Sequence, residues 1–232
     1  MTDKVIAPSA ASVDIESRLA QIYGRPQWNS HGPPLDELVA TILSQHTSDV
    51  NSGRAYAELR ARFPTWRQVL EAAEIDVAEA IQSGGLANVK APRIQRVLRV
   101  IETESGSLSL DWLKELPLDT ARTWLLALPG VGPKTATCVL LFSLGMPTMP
   151  VDTHVHRVAG RLGLLPPGVD ADEAHAFFDR LMGPNRDAMY ALHLNLIRHG
   201  RTTCTARAPA CGVCALSERC PSAFRVNGAS SA

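Results

Sequence analysis

The stretch LPGVGPKTA, Leu128–Ala136, decides the fold. A helical pattern over 118–128 stops at Leu128-Pro129. Gly130 and Gly132 open backbone angles that other residues avoid. Pro133 suits the first position of a new helix, where its missing N–H costs nothing. The segment therefore reads helix, hairpin, helix. Turn amides and first-turn amides with no carbonyl of their own make an anion site of such a hairpin. A phosphate backbone would be gripped there by main-chain donors without formal charge. Lys134 follows at once, where the positive end of the helix dipole disfavours an ammonium. Two readings follow. A lysine pushed toward the neutral amine is a nucleophile for an electrophilic carbon. A lysine that stays charged simply reaches a phosphate or solvent.

Outward from the hairpin, helical periodicity with Gly and Pro punctuation covers the chain, and period-two strand patterns are nearly absent. The patterns predict helices at 12–23, 35–46, 50–62, 66–73, 76–83, 90–104, 118–128, 133–144, 152–163, 170–182 and 186–199. The expected class is all-α. The helix beginning at Pro133 is apolar nearly all round and should be buried, with Cys138 in its core. GMPTMPV, 145–151, carries two prolines that discourage helix and suits a connection between two lobes.

The 232 residues suffice for one large domain or two small ones. No apolar run has the length of a membrane span, and the opening MTDKVIAPSAASVDIESR lacks the apolar core of a secretory signal. The expectation is an intracellular protein with no membrane partner. The first ~12 residues and the tail after Phe224 are expected to fray. Net charge is zero, which argues weakly against a nucleic-acid partner. Distribution matters more than the sum: Lys90, Arg93, Arg96 and Arg99 recur every three residues and predict a basic stripe or a solvated helix face.

VDTHVHRV, 151–158, holds a second constellation. Asp152 is placed to N-cap a helix, and backbone N–H bonds would keep it ionised. Its role is either that cap alone or stabilisation of positive charge at a sugar carbon. His154 and His156 are two apart, a spacing that does not share a helix face, so a metal pair is not expected. The third constellation is Cys204, Cys211, Cys214 and Cys220, spaced C-x6-C-x2-C-x5-C. Disulfides are not expected in an intracellular chain. Four thiolates suit a tetrahedral zinc or an iron–sulfur cluster.

Taken in this order, the three motifs resemble the endonuclease III branch of the helix-hairpin-helix (HhH-GPD) DNA glycosylases. The resemblance runs from about Asp36 to Cys220. It implies two helical lobes with a DNA-binding cleft between them. A six-helix barrel with the hairpin would occupy 35–146. The cluster lobe would take 147–224 with the N-terminal segment 1–34, leaving 225–232 as a tail. By similarity Lys134 is the Schiff-base lysine and Asp152 the catalytic aspartate. Cys204, Cys211, Cys214 and Cys220 are the ligands of a [4Fe–4S] cluster. Gly130, Val131, Gly132 and Thr135 belong to the phosphate-binding hairpin, with His154 and Arg207 as further DNA contacts.

The implied activity is base excision: a DNA N-glycosylase with AP lyase activity, acting on duplex DNA with damaged bases or abasic sites. Oxidised pyrimidines such as thymine glycol are the default substrates, and a nucleoid-associated monomer suffices. The adenine-mismatch branch lacks the lysine and needs a glutamate that LVATILSQHTSDVN does not contain. Two other readings remain: a monofunctional mismatch glycosylase, and a non-catalytic iron–sulfur DNA-binding module. Two features depart from the family. In ILSQHTSD either Gln45 or His46 would fill the gap left by a flipped base, and SGGLANVKA supplies Leu86 as the wedge with Asn88 beside it. Between Cys204 and Cys211 only Arg207 is basic, which predicts weak phosphate contact there.

Overall fold

The computed structural model describes residues 10–226. The fraying expected at the two termini falls, apart from its inner edges, outside them. Eleven α-helices and no strand occur among the described residues, so the chain is all-α. No helix is long and apolar enough to cross a membrane.

The chain forms two compact units, Ser30–Met146 and Met1–Asn29 with Pro147–Ala232. The boundary at Met146 and Pro147 falls inside the extended GMPTMPV piece.

The Ser30–Met146 unit holds α2 (Pro34–Ser44), α3 (Asp49–Arg62), α4 (Trp66–Glu71), α5 (Glu74–Ala80), α6 (Ala87–Ser105), α7 (Leu118–Ala127) and α8 (Pro133–Cys138). Caps set several of the starts. Ser48 accepts the Asn51 amide, and Thr65 with Gln68 closes a capping box. Leu38, Val39 and Ile42 of α2, Ile94 and Leu98 of α6, and Ala136, Val139 and Leu140 form one fully buried core. α2 packs against α3, α8 and the turn that follows α8. That turn is a π turn, Val139–Ser143, so the helix predicted at 133–144 is helical throughout but changes its hydrogen-bonding register after six residues.

The basic stripe needs correction. Lys90 is buried at 2% exposure and Arg93 is half-buried, while Arg96 and Arg99 are exposed. The reason is geometric. Three residues advance a helix by about 300°, so a three-residue repeat drifts about 60° per step and crosses from core to solvent within nine residues. The helix predicted over 35–46 ends at Ser44, because Gln45 turns extended, and His46 after it is left-handed at φ 55°.

In the other unit, α11 (Arg186–Thr202) packs on α1 (Ala10–Tyr23) and on α9 (Thr153–Arg161), and α10 (Ala171–Met182) packs on α9. Ile15, Leu19, Val155, Val158, Phe178 and Leu196 are its core. Asp179 fastens the extended piece to α10, accepting from the Thr148 hydroxyl at 3.0 Å and the Met149 amide at 2.9 Å.

Candidate functional site

The hairpin forms as its residues predict. Leu128 leaves α7 in an extended conformation, and Gly130 is left-handed at φ 76°. The Val131 amide closes the turn on the Leu128 carbonyl at 3.1 Å. Gly132 is the extended N-cap of α8, with Pro133 at its first position and no side chain capping it. Gly130 and Gly132 are exposed, Lys134 is half-buried, and Val131 and Thr135 are buried at 6% and 4%. The side chains of Val131 and Thr135 therefore belong to the core, which leaves only their main chain for the phosphate contact expected of them. Thr137 donates its hydroxyl to the Pro133 and Lys134 carbonyls at 2.8 and 3.1 Å, which stiffens the turn carrying the lysine.

Among the described residues three non-glycine residues adopt positive φ: His46 at 55°, Leu86 at 50° and Phe224 at 59°. Each costs about 1 kcal/mol and persists only where its surroundings impose it. Two of the three are residues singled out from the sequence. His46 is exposed, whereas Gln45 is half-buried, with its side-chain oxygen accepting from Arg93 Nη1 at 2.8 Å. Leu86 is 53% exposed and borders a recess also lined by Ile75, Gln82 and Asn88.

In the second unit Asp152 is the N-cap of α9, and its Oδ1 accepts the Val155 amide at 2.7 Å. The two neighbouring histidines are turned to different partners. His154 Nδ1 accepts from Arg157 at 3.1 Å, and His156 Nε2–H donates to the Val169 carbonyl at 2.9 Å. Cys204, Cys211, Cys214 and Cys220 line one small recess, whose walls also include Leu162, His199, Pro209 and Ala223. Among the described residues no three His, Cys, Asp or Glu side chains form a group that would hold a metal ion. Burial pushes the Cys214 and Cys220 thiols up, and the neighbouring cysteines push the same way. Arg207 is exposed.

Sequence reasoning missed what holds this loop. Arg161 donates to the Thr205 and Ala206 carbonyls at 2.7 and 2.8 Å and to Cys204 Sγ at 3.4 Å. Arg157 donates to the Gly200 carbonyl at 2.9 Å and the Cys204 carbonyl at 3.2 Å. Their spacing of four on α9 was the available signal, since it puts both on one face. His199 is also an anchor. Burial lowers its pKa to about 4, so the ring is neutral. Its Nδ1 is hydrogen-bonded with the Tyr23 hydroxyl at 3.0 Å, and its Nε2 faces Cys214 Sγ at 3.6 Å.

Comparison with known proteins agrees with this layout. Residues 39–184 match the model of the HhH-GPD superfamily base excision DNA repair proteins. Endonuclease III of Thermotoga maritima is 31% identical over 207 residues, covering 89% of this chain and 92% of that protein. A putative DNA glycosylase of Arabidopsis thaliana is 40% identical over 72% of this chain, which spans 56% of the plant protein. The DNA glycosylase/AP lyase ROS1 of the same plant is 33% identical, and this chain spans only 12% of it. Among solved structures, a non-covalent endonuclease III–DNA complex superposes with a TM-score of 0.78 at 26% identity, covering 92% of this chain and 95% of the other. A family match over more than half the chain and a relative matched nearly end to end agree with the hairpin, the capped aspartate and the four-cysteine loop: the chain belongs to the endonuclease III family of the HhH-GPD superfamily.

Proposed function

We propose that this protein is a bifunctional DNA glycosylase and AP lyase that removes oxidised pyrimidines, such as thymine glycol, from duplex DNA. The observation that carries the reading is Lys134, a half-buried lysine in the first turn behind an exposed glycine hairpin. The amine follows directly on the main-chain donors that would hold a phosphate, where a nucleophile for C1′ is needed.

The damaged nucleotide leaves the stack. His46 and Leu86, exposed on strained turns, enter the space it vacates. Lys134 Nζ attacks C1′, forming the C–N bond as the glycosidic bond breaks and the base departs with the electron pair and a proton. Transfer of the remaining amine proton to O4′, as the C1′–O4′ bond breaks, opens the sugar ring and leaves the C1′=N Schiff base. Removal of a C2′ proton then expels the 3′ phosphate, and the strand is cut on that side of the lesion. The Asp152 carboxylate, oriented by the Val155 amide, offsets positive charge at the sugar.

The cysteine loop fits a [4Fe–4S] cluster better than zinc. Common zinc sites pair two C-x2-4-C knuckles, and the six-residue gap between Cys204 and Cys211 departs from that spacing. The four thiols line one recess with apolar walls. Bound there, the cluster would supply positive charge that keeps the thiols ionised and pins the 204–220 loop. In a nicking assay on a thymine glycol duplex, wild type should cut, and Lys134→Gln should bind but not cut. Equal cutting by both would contradict the reading.

A further inference from the structure

Lys90 is among the largest fully buried side chains of the protein. An ammonium has three donors and no acceptor. Here it donates to the Leu43 carbonyl at 2.7 Å and the Gly84 carbonyl at 2.9 Å. Leu43 is the last residue but one of α2, three residues before left-handed His46; Gly84 closes the short helical turn Gln82–Gly84, two residues before left-handed Leu86. One turn further along α6, Arg93 donates to the Gln45 side chain at 2.8 Å. Its side chain also lies across the hairpin, where a Cβ on Gly130 would come within 2.6 Å of Arg93 Cδ and Nε. Gly84 is equally hemmed in: a Cβ there would meet the Ala55 Cβ at 2.9 Å. An apolar residue at 90 would fill the same space without burying a cation. What lysine adds is directional bonding to two segments far apart in sequence.

We propose that Lys90, seconded by Arg93, is a positioning residue that holds the 43–46 turn, the 84–88 turn and the glycine hairpin in one register, so that His46 and Leu86 enter a damaged duplex together. The idea rests on the repair reading above. Neither residue touches the reacting atoms.

The test uses the full chain and two duplexes of one sequence, one undamaged and one carrying a tetrahydrofuran abasic analogue. Wild type and Lys90→Met are titrated by anisotropy after circular dichroism shows both to be helical. The preference for the abasic duplex should fall roughly 10- to 100-fold in the variant, while affinity for the undamaged duplex changes by less than about twofold. In a chain already carrying His46→Ala and Leu86→Ala, Lys90→Met should have no further effect on that preference, a coupling that a merely structural lysine would not show. If Lys90→Met melts below the assay temperature, half-buried Arg93→Met carries the same comparison. An unchanged preference, or an equal loss on both duplexes, overturns the proposal. A wild-type chain with no preference for the abasic duplex would instead remove the repair reading beneath it.

Discussion

Gly130 shows what a single residue does here. Its φ of 76° is one that alanine adopts only under strain, and Arg93 occupies the place a Cβ would take. Gly130→Ala should cost about 1 kcal/mol, roughly 2–4 °C of melting temperature, and lower the preference for an abasic over an undamaged duplex as Arg93 is displaced from the hairpin. A thermal melt and a binding titration on the same sample check both. Tyr56 gives a test in pH. Burial, and then the neighbouring Asp36 carboxylate, push its hydroxyl up to about 12 from an ordinary 10. Above pH 10 an unfolded chain loses that proton and the folded one keeps it, so stability falls as pH rises from about 10 to 12. Below pH 10 the contribution is complete. Tyr56→Phe should remove that part of the alkaline slope, no more than about 2 kcal/mol, in denaturant titrations at pH 9 and 11.5. An identical slope in the variant would mean that Tyr56 does not hold its proton.

At the scale of elements, the cysteine loop depends on α9. Arg161 makes three hydrogen bonds to its first three residues, Cys204, Thr205 and Ala206. Arg161→Met should lose about 2 kcal/mol and release iron to a chelator faster than wild type, followed by the fading of visible absorbance. If the chelator rate is unchanged, the arginine is not what holds the loop. All eleven helices were legible in the sequence, because each carries periodic apolar residues and most are bounded by Gly, Pro or a cap such as Ser48, Thr65 or Asp152. The short turns at Gln82–Gly84, Asp111–Glu115, Cys211–Val213 and Ser217–Arg219 were not, since three to five residues show no period. The candidate site was legible where glycine, proline or clustered cysteine marks it. Lys90 was read as surface because a lone charge in a sequence says nothing of the carbonyls that meet it. The shared face of Arg157 and Arg161 was open to reading, but their partners, like those of His199, lie dozens of residues away or across the cysteine loop, where no local pattern reaches.

For the whole molecule, zero net charge and a cysteine loop with little basic charge predict duplex binding with a shallow salt dependence. The slope of log affinity against log salt should be shallower than about −4, equivalent to fewer than five neutralised phosphates. Anisotropy from 50 to 300 mM salt measures it, and a slope near −7 would mean that side-chain cations, not hairpin amides, dominate. The most direct measurement for the account is borohydride trapping on duplexes containing thymine glycol or an abasic site, with wild type beside Lys134→Gln. The account predicts a covalent protein–DNA adduct on both duplexes in the wild type, mapped to the peptide carrying Lys134, and none in the variant. No adduct on either duplex, or an adduct that survives Lys134→Gln, would contradict it.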